Sequence, residues 1–219
     1  KNFHTVDDVI SIKKHSNPKN LLVRINPYGE YTKAEIDSVV KAGATHIMLP
    51  MISSLKAVSE VSKYIRKRVA FVPLIETVYS LQNLEQIIEL AEPEFIFFGL
   101  NDLYRELELG FIFEVLAMNL LDHPANICKK HNIKFGFGGI SKFDYGLLNS
   151  RLILNEHIRL GSSYVILSRD FTNNIDPVNF FDELRLIIDY VEEPKDASFL
   201  LESSFDLKFR VRDILNNYK

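Results

Sequence analysis

The chain has a single cysteine, Cys128. An internal disulfide and a cysteine-ligated metal cluster are therefore excluded, and a reducing, cytoplasmic setting is the expectation. No apolar run approaches the ~20 residues that a bilayer span requires, and the N-terminus has no apolar signal segment. The chain therefore reads as soluble, with no membrane partner. Excess basic charge is missing too. Lys and Arg total 26 against 29 Asp and Glu, a formal net charge of −3, which gives no bulk attraction for nucleic acid. The KYIRKR run at 63–68 reads as a solvated helix end. The glycine-rich stretch GFGG at 136–139 lacks the spacing of a dinucleotide fingerprint. Its glycines suit either close approach to a ligand or relief of crowding at a strand end.

What is present is an alternating pattern. With 219 residues, 47% of them hydrophobic, the chain can bury one substantial core. Short apolar runs rich in β-branched or aromatic residues predict strands at 21–25, 46–50, 70–75, 95–99, 133–137 and 164–168. Helical periodicity fills the gaps, and the chain opens on a helix, TVDDVISIKK. Thr32 and Glu35 have capping-box spacing before IDSVVKA, Gly43 and Gly161 stand where helices stop, and Asp176-Pro177 starts the helix NFFDELRLIIDYV. Alternation of this kind predicts a parallel sheet. Six strands fit either an eight-stranded barrel lacking two strands or an open sheet. Residues 1–193 are expected to form this domain. Residues 194–219 form a tail with Val211, Ile214 and Leu215 at helical spacing, packing on the body or on a second subunit.

Four strand ends recur 26 positions apart: Arg24, Pro50, Glu76 and Asp102. Equal spacing is expected to return each to the same rim, converging an arginine and two carboxylates on one mouth. Two carboxylates leave coordination positions for water and substrate oxygens, as Mg²⁺ or Mn²⁺ prefers, and Arg24 complements a carboxylate or an enolate. Spacing alone leaves blander roles open. Asp102 precedes LYREL and is placed to be an N-cap, and Arg24 is placed to pair with Glu76 across the sheet.

The residues themselves carry a resemblance. VRIN at 23–26, IMLPM at 47–51, LIET at 74–77 and GLNDL at 99–103 resemble successive strand ends of the HpcH/HpaI aldolase and citrate lyase β-subunit family. The likeness continues through GFGGI at 136–140 and EHIRLGSSYVILSRDF at 156–171. The last stretch is most similar to a branch met in bacterial surface-polysaccharide gene clusters. The resemblance implies a TIM (β/α)8-type barrel of the pyruvate/phosphoenolpyruvate superfamily, here without its first two strands. It also implies a metal-dependent carbon–carbon lyase acting through a pyruvate-type enolate on a small 2-oxo acid or related carboxylate, and a homo-oligomer. By motif it implies Glu76 and Asp102 as ligands of Mg²⁺ or Mn²⁺, Arg24 as the substrate-binding and catalytic arginine, and Gly99, Leu100, Asn101 and Asp102 as the turn whose amides hold the substrate carboxylate.

Two departures from the family pattern stand out. Leu74 replaces the glutamine usual beside the metal glutamate in HpaI-type aldolases, which alters support for the ligand. The strands that bring the family's acid-base histidine or acidic residues have no counterpart in this chain. His46, His123, His131 and His157 lie at positions unsuited to replace it. A different class of function competes for that reason: a non-catalytic binding or regulatory barrel that holds a carboxylate or phosphate. Phosphoenolpyruvate chemistry ranks last, with only Arg24 and Arg169 as strand-end cations. Arg169 is expected either to meet an anionic substrate tail or to pair with Asp170. Asn26, before Pro27, is expected to orient substrate or to shape a turn.

Overall fold

Strand register decides what the 26-residue spacing means. The computed structural model describes residues 4–172 and 177–217. The chain divides into two compact units, the first running to Phe98 and including Ile127–Lys134, the second comprising Gly99–Asn126 and the chain from Phe135 onward.

The first unit contains α1 (Val6–Ser16), β1 (Leu22–Arg24), α2 (Thr32–Lys41), β2 (His46–Leu49), α3 (Leu55–Ile65), β3 (Ala70–Ile75), α4 (Val78–Gln82), α5 (Leu84–Ala91) and β4 (Ile96–Phe98). Its strands pair in chain order, all parallel, as expected for strands separated by helices. Arg24 lies opposite Met48, and Met48 opposite Val72. Glu76 therefore stands four positions beyond the level of Arg24, roughly 13 Å along the strand direction. Both residues still lie at the C-terminal end of their strands, the expected rim, and the hydrogen-bond ladder sets the stagger between them. The face is retained. Met48, Val72, Leu74 and Phe97 form one buried cluster, and Arg24, opposite Met48, belongs to its side of the sheet. Alternation carried past the end of β3 brings Glu76 to that side as well.

Local chemistry explains most helix boundaries. Thr5 and Asp8 form a capping box, with the Thr5 N–H donating to Asp8 at 2.6 Å. Ser54 caps α3, which buries Ala57, Val58, Val61 and Ile65 at helical spacing. The box expected at Thr32 does not form: Tyr31 holds the N-cap position of α2. The Thr32 hydroxyl instead accepts from the Gly29 N–H at 2.8 Å, and Glu35 reaches back to Asn26. Gly43, at φ +109°, follows α2 as expected.

The second unit carries α6 (Leu100–Glu106), α7 (Glu114–Ala117), α8 (Asp122–Lys130, its end belonging to the first unit), β5 (Phe135–Ile140), α9 (Ser150–Leu160), β6 (Tyr164–Leu167), α10 (Arg169–Thr172), α11 (Pro177–Glu192) and α12 (Ala197–Asn217). Pro177 opens α11, while Asp176 lies outside the described residues. The strand expected at 133–137 lies at 135–140 and is bulged. Gly136 pairs with Tyr164 but Gly139 with Ile166, so three steps on β5 oppose two on β6. Gly138, at φ +57°, supplies the left-handed residue, and a Cβ on Gly136 would sit 2.4 Å from the Tyr164 carbonyl oxygen. Crowding accounts for Gly136 and the bulge for Gly138. α12 packs along α9 and α7. Among the described residues no helix is long and apolar enough to cross a membrane.

Candidate active site

Glu76 follows the last residue of β3 and is only 3% exposed. Its Oε1 accepts from the backbone N–H of Met51 at 3.0 Å. That N–H points inward because Met51 has left-handed backbone, φ 49°, a conformation that costs an L-residue of this size roughly 1 kcal/mol or more. The next residue locks the segment. The Thr77 hydroxyl donates to the Ile52 carbonyl at 2.7 Å and accepts from the Ser80 N–H at 3.0 Å, capping α4. Neither Met51 nor Thr77 emerged from the sequence as part of the site. A Thr-x-x-Ser pair directly after a strand end was the readable signal for Thr77, whereas the strain at Met51 has no sequence signature.

Arg24, the last residue of β1, is exposed. It makes no hydrogen bond or ion pair with the other described residues, so the expected alternative of a pair with Glu76 is not formed. Asn26 is held by Glu35 of α2. Its backbone N–H and its side-chain amide both donate to Glu35, at 3.1 and 2.8 Å.

In the second unit, Gly99 is the N-cap of α6 and Asp102 stands in its first turn, so Asp102 is not itself the cap. The Leu103 N–H already donates to the Gly99 carbonyl, while the amides of Leu100, Asn101 and Asp102 are first-turn donors outside the helical ladder. Asp102 is partly exposed and lies 3.9 Å from Arg105, a long contact between solvated groups that adds little stability. Arg169 is exposed and opens α10. The adjacent Ser168 hydroxyl is buried and has no hydrogen-bond partner among the described residues.

Three of the four histidines considered from the sequence are otherwise employed. His157 is buried, stacked on Phe137 with ring centroids 3.7 Å apart, and bonded through Nδ1 to the Ser162 hydroxyl. Burial pushes its pKa down to about 3, so it stays neutral. His46 bonds the Thr45 hydroxyl at 2.8 Å. His131 Nε2 lies 2.9 Å from Glu85 Oε1. Glu85, Glu89 and His131 also bring ligand-type atoms within 4.8 Å of one another. The same Glu85 oxygen takes the Lys130 ammonium at 2.7 Å. Hydrogen bonds from Lys130 and then His131 hold the Glu85 carboxyl down at about 2, so a lysine cation already serves this group.

Against this geometry the comparisons are informative. Residues 4–110 match the family described as HpcH/HpaI aldolase/citrate lyase. These residues are an HpcH/HpaI aldolase/citrate lyase family domain. Among solved structures, an HpcH/HpaI aldolase/citrate lyase family protein from Burkholderia cenocepacia J2315 is similar at TM-score 0.62 and 15% identity, over 86% of this chain and 80% of that one. An HpcH/HpaI aldolase from Desulfitobacterium hafniense DCB-2 is similar at TM-score 0.59 and 14% identity, over 88% of this chain and 80% of that one. Macrophomate synthase is similar at TM-score 0.50 and 17% identity, over 63% of this chain and 60% of that one. At such identities the likeness shows the fold. No curated protein matches the chain by sequence. The HpcH/HpaI segment contains Arg24, Glu76 and Gly99–Asp102, whereas Arg169 lies beyond it.

Proposed function

We propose that the protein is a metal-dependent carbon–carbon lyase of class II aldolase type, acting on a small 2-oxo acid, and that its six strands are the last six of a (β/α)8 barrel. The observation that carries this reading is Glu76: a buried carboxylate at a strand end inside the HpcH/HpaI segment, with one oxygen fixed by the Met51 amide. Burying a carboxylate is costly unless polar groups or a cation compensate. A pair of hard oxygen donors, Glu76 and Asp102, suits Mg²⁺ or Mn²⁺.

Glu76 and Asp102 would hold that ion, which when bound supplies a Lewis acid for the carboxylate and keto oxygens of the substrate. The chain's own groups do the rest. Arg24 offers its fork of donors to the negative charge that develops as the carbon–carbon bond breaks. The first-turn amides of Leu100, Asn101 and Asp102 bind the substrate carboxylate, favoured by their orientation along the start of α6. Arg169 meets a distal anionic group.

Calorimetric titration of the metal-stripped protein with Mg²⁺ and Mn²⁺, with and without oxalate as an enolate mimic, tests the assignment. Metal-dependent oxalate binding that is lost in Asp102→Asn is the expected result. Wild-type protein that binds no oxalate with either metal present would sink the proposal.

A further inference from the structure

Helix α5 turns one face to the core and the next to the end of α8. Leu84, Ile87 and Ile88 are buried, while Glu85 and Glu89, four positions apart, are neighbours on the adjoining face. Glu85 is half-buried and Glu89 exposed. His131 meets them from 46 positions further along the chain than Glu85, and the turn that ends α8 fixes it there. Asn132 has left-handed backbone, φ 53°, and the N–H groups of Asn132 and Ile133 donate to the carbonyls of Lys129 and Cys128 at 3.0 and 2.9 Å. This is a Schellman arrangement with His131 in the C-cap position. Residues 127–134 belong to the first unit, although the chain on either side of them belongs to the second.

The donor set decides which cation suits this place. Among the described residues, these three are the one group of metal-ligating side chains whose ligand atoms lie within 4.8 Å of one another. An imidazole nitrogen beside two carboxylates matches Zn²⁺ better than a hard ion such as Mg²⁺, which favours an all-oxygen shell. Nε2 of His131 faces Oε1 of Glu85 at 2.9 Å, and two ligands of one tetrahedral zinc stand roughly 3.3 Å apart, so an opening of a few tenths of an ångström admits the ion. Lys130 already treats the spot as a cation seat. Its ammonium is 2.7 Å from the same Oε1 and also feels the charge of Glu89. The Lys130 side chain is 71% exposed, so its flexible stem can swing into water when another cation arrives.

We propose that Glu85, Glu89 and His131 form a Zn²⁺ site that takes the metal in exchange for the Lys130 ammonium and staples residues 127–134 to α5. The three side chains leave a fourth position for water. Because the ligands converge only in the folded chain, the ion stabilises the first unit by mass action. This site lies away from the strand-end carboxylates and does not depend on the lyase reading.

Calorimetric titration of the full metal-stripped chain with Zn²⁺ is the test, performed on Asp102→Asn so that metal at the strand-end pair is not counted. The expected result is a single Zn²⁺ per chain, with Glu89→Gln and His131→Gln each weakening binding at least about tenfold. Glu89 is exposed and its amide is isosteric, so the fold survives that change. Lys130→Met removes the competing ammonium, and because an exposed ion pair is weak, binding should tighten by only about threefold. In thermal melts Zn²⁺ should raise the midpoint of Asp102→Asn and leave that of Asp102→Asn/His131→Gln unmoved. No Zn²⁺ bound to Asp102→Asn, or equal affinity after both Gln substitutions, would overturn the site. Binding that Lys130→Met leaves unchanged or weakens would overturn the exchange.

Discussion

The Met51 N–H donates to Glu76 Oε1 at 3.0 Å from a residue with left-handed backbone, so the orientation of a buried carboxylate after β3 is set by the loop after β2. Removing the carboxylate altogether would strand that N–H. Glu76→Ala is therefore expected to lose about 1–3 kcal/mol of stability, whereas Glu76→Gln, which keeps an acceptor oxygen, is expected to lose less than about half as much. Urea denaturation of the two variants provides the comparison. Equal losses would show that the hydrogen bond is not what holds this segment.

Acid sensitivity is expected from His157. Its folded pKa, about 3, lies below the unfolded value near 6.5, so the unfolded chain takes up the proton first. The neutral imidazole thus imposes no penalty above pH 6.5, and stability falls progressively as pH drops from 6.5 towards 3, by on the order of 4 kcal/mol across the window. Replacing His157 by Gln should flatten this dependence by one proton. Unfolding free energies measured at several pH values in that window would decide it, and an unchanged slope in the variant would assign the acid sensitivity to other groups.

Packing at the β5 bulge sets a third expectation. A methyl group on Gly136 would collide with backbone, at 2.4 Å from the Tyr164 oxygen, whereas on Gly139 it would meet Ser168 Cβ at an ordinary 3.4 Å. Gly136→Ala should cost about 2 kcal/mol or more, and Gly139→Ala less than about 1 kcal/mol. Thermal melts of both proteins make the test, and the reverse order would contradict the bulge geometry.

The Asp122–Arg159–Glu156 cluster is expected to behave as one unit. Arg159 bonds Asp122 at 2.7 and 2.9 Å and Glu156 at 2.7 to 3.0 Å. Glu156 is 1% exposed, and the hydrogen bonds Arg159 donates to Asp122 and then Glu156 push its pKa up. Arg159→Met leaves Glu156 buried without its cation, for an expected loss of about 3–5 kcal/mol. Adding Glu156→Gln should recover part of that loss, so a double-mutant cycle with no coupling would refute the reading.

Cys128 gives a fifth probe. It is buried, and burial pushes its thiol pKa up to about 12, which suppresses the reactive thiolate. Alkylation by iodoacetamide should require unfolding, so its rate should track denaturant concentration. Rapid labelling of the native protein would contradict the burial.

Sequence by itself determined the order and type of the elements, because apolar period and helix stops are local properties: the strand at 70–75 and the stop at Gly161 are where they were expected. It also marked Arg24, Glu76 and Gly99–Asp102 through motifs that lie in the HpcH/HpaI segment. What tertiary structure alone decided concerns partners distant in the chain. Register moved Glu76 four positions past the level of Arg24, since hydrogen bonds between strands ignore how many residues a connecting helix consumes. Glu35 turned from a helix cap into the anchor of Asn26, because a carboxylate goes to the donors nearest in space. The clamp of Met51 on Glu76 joins residues 25 positions apart through a backbone angle that no side-chain pattern encodes.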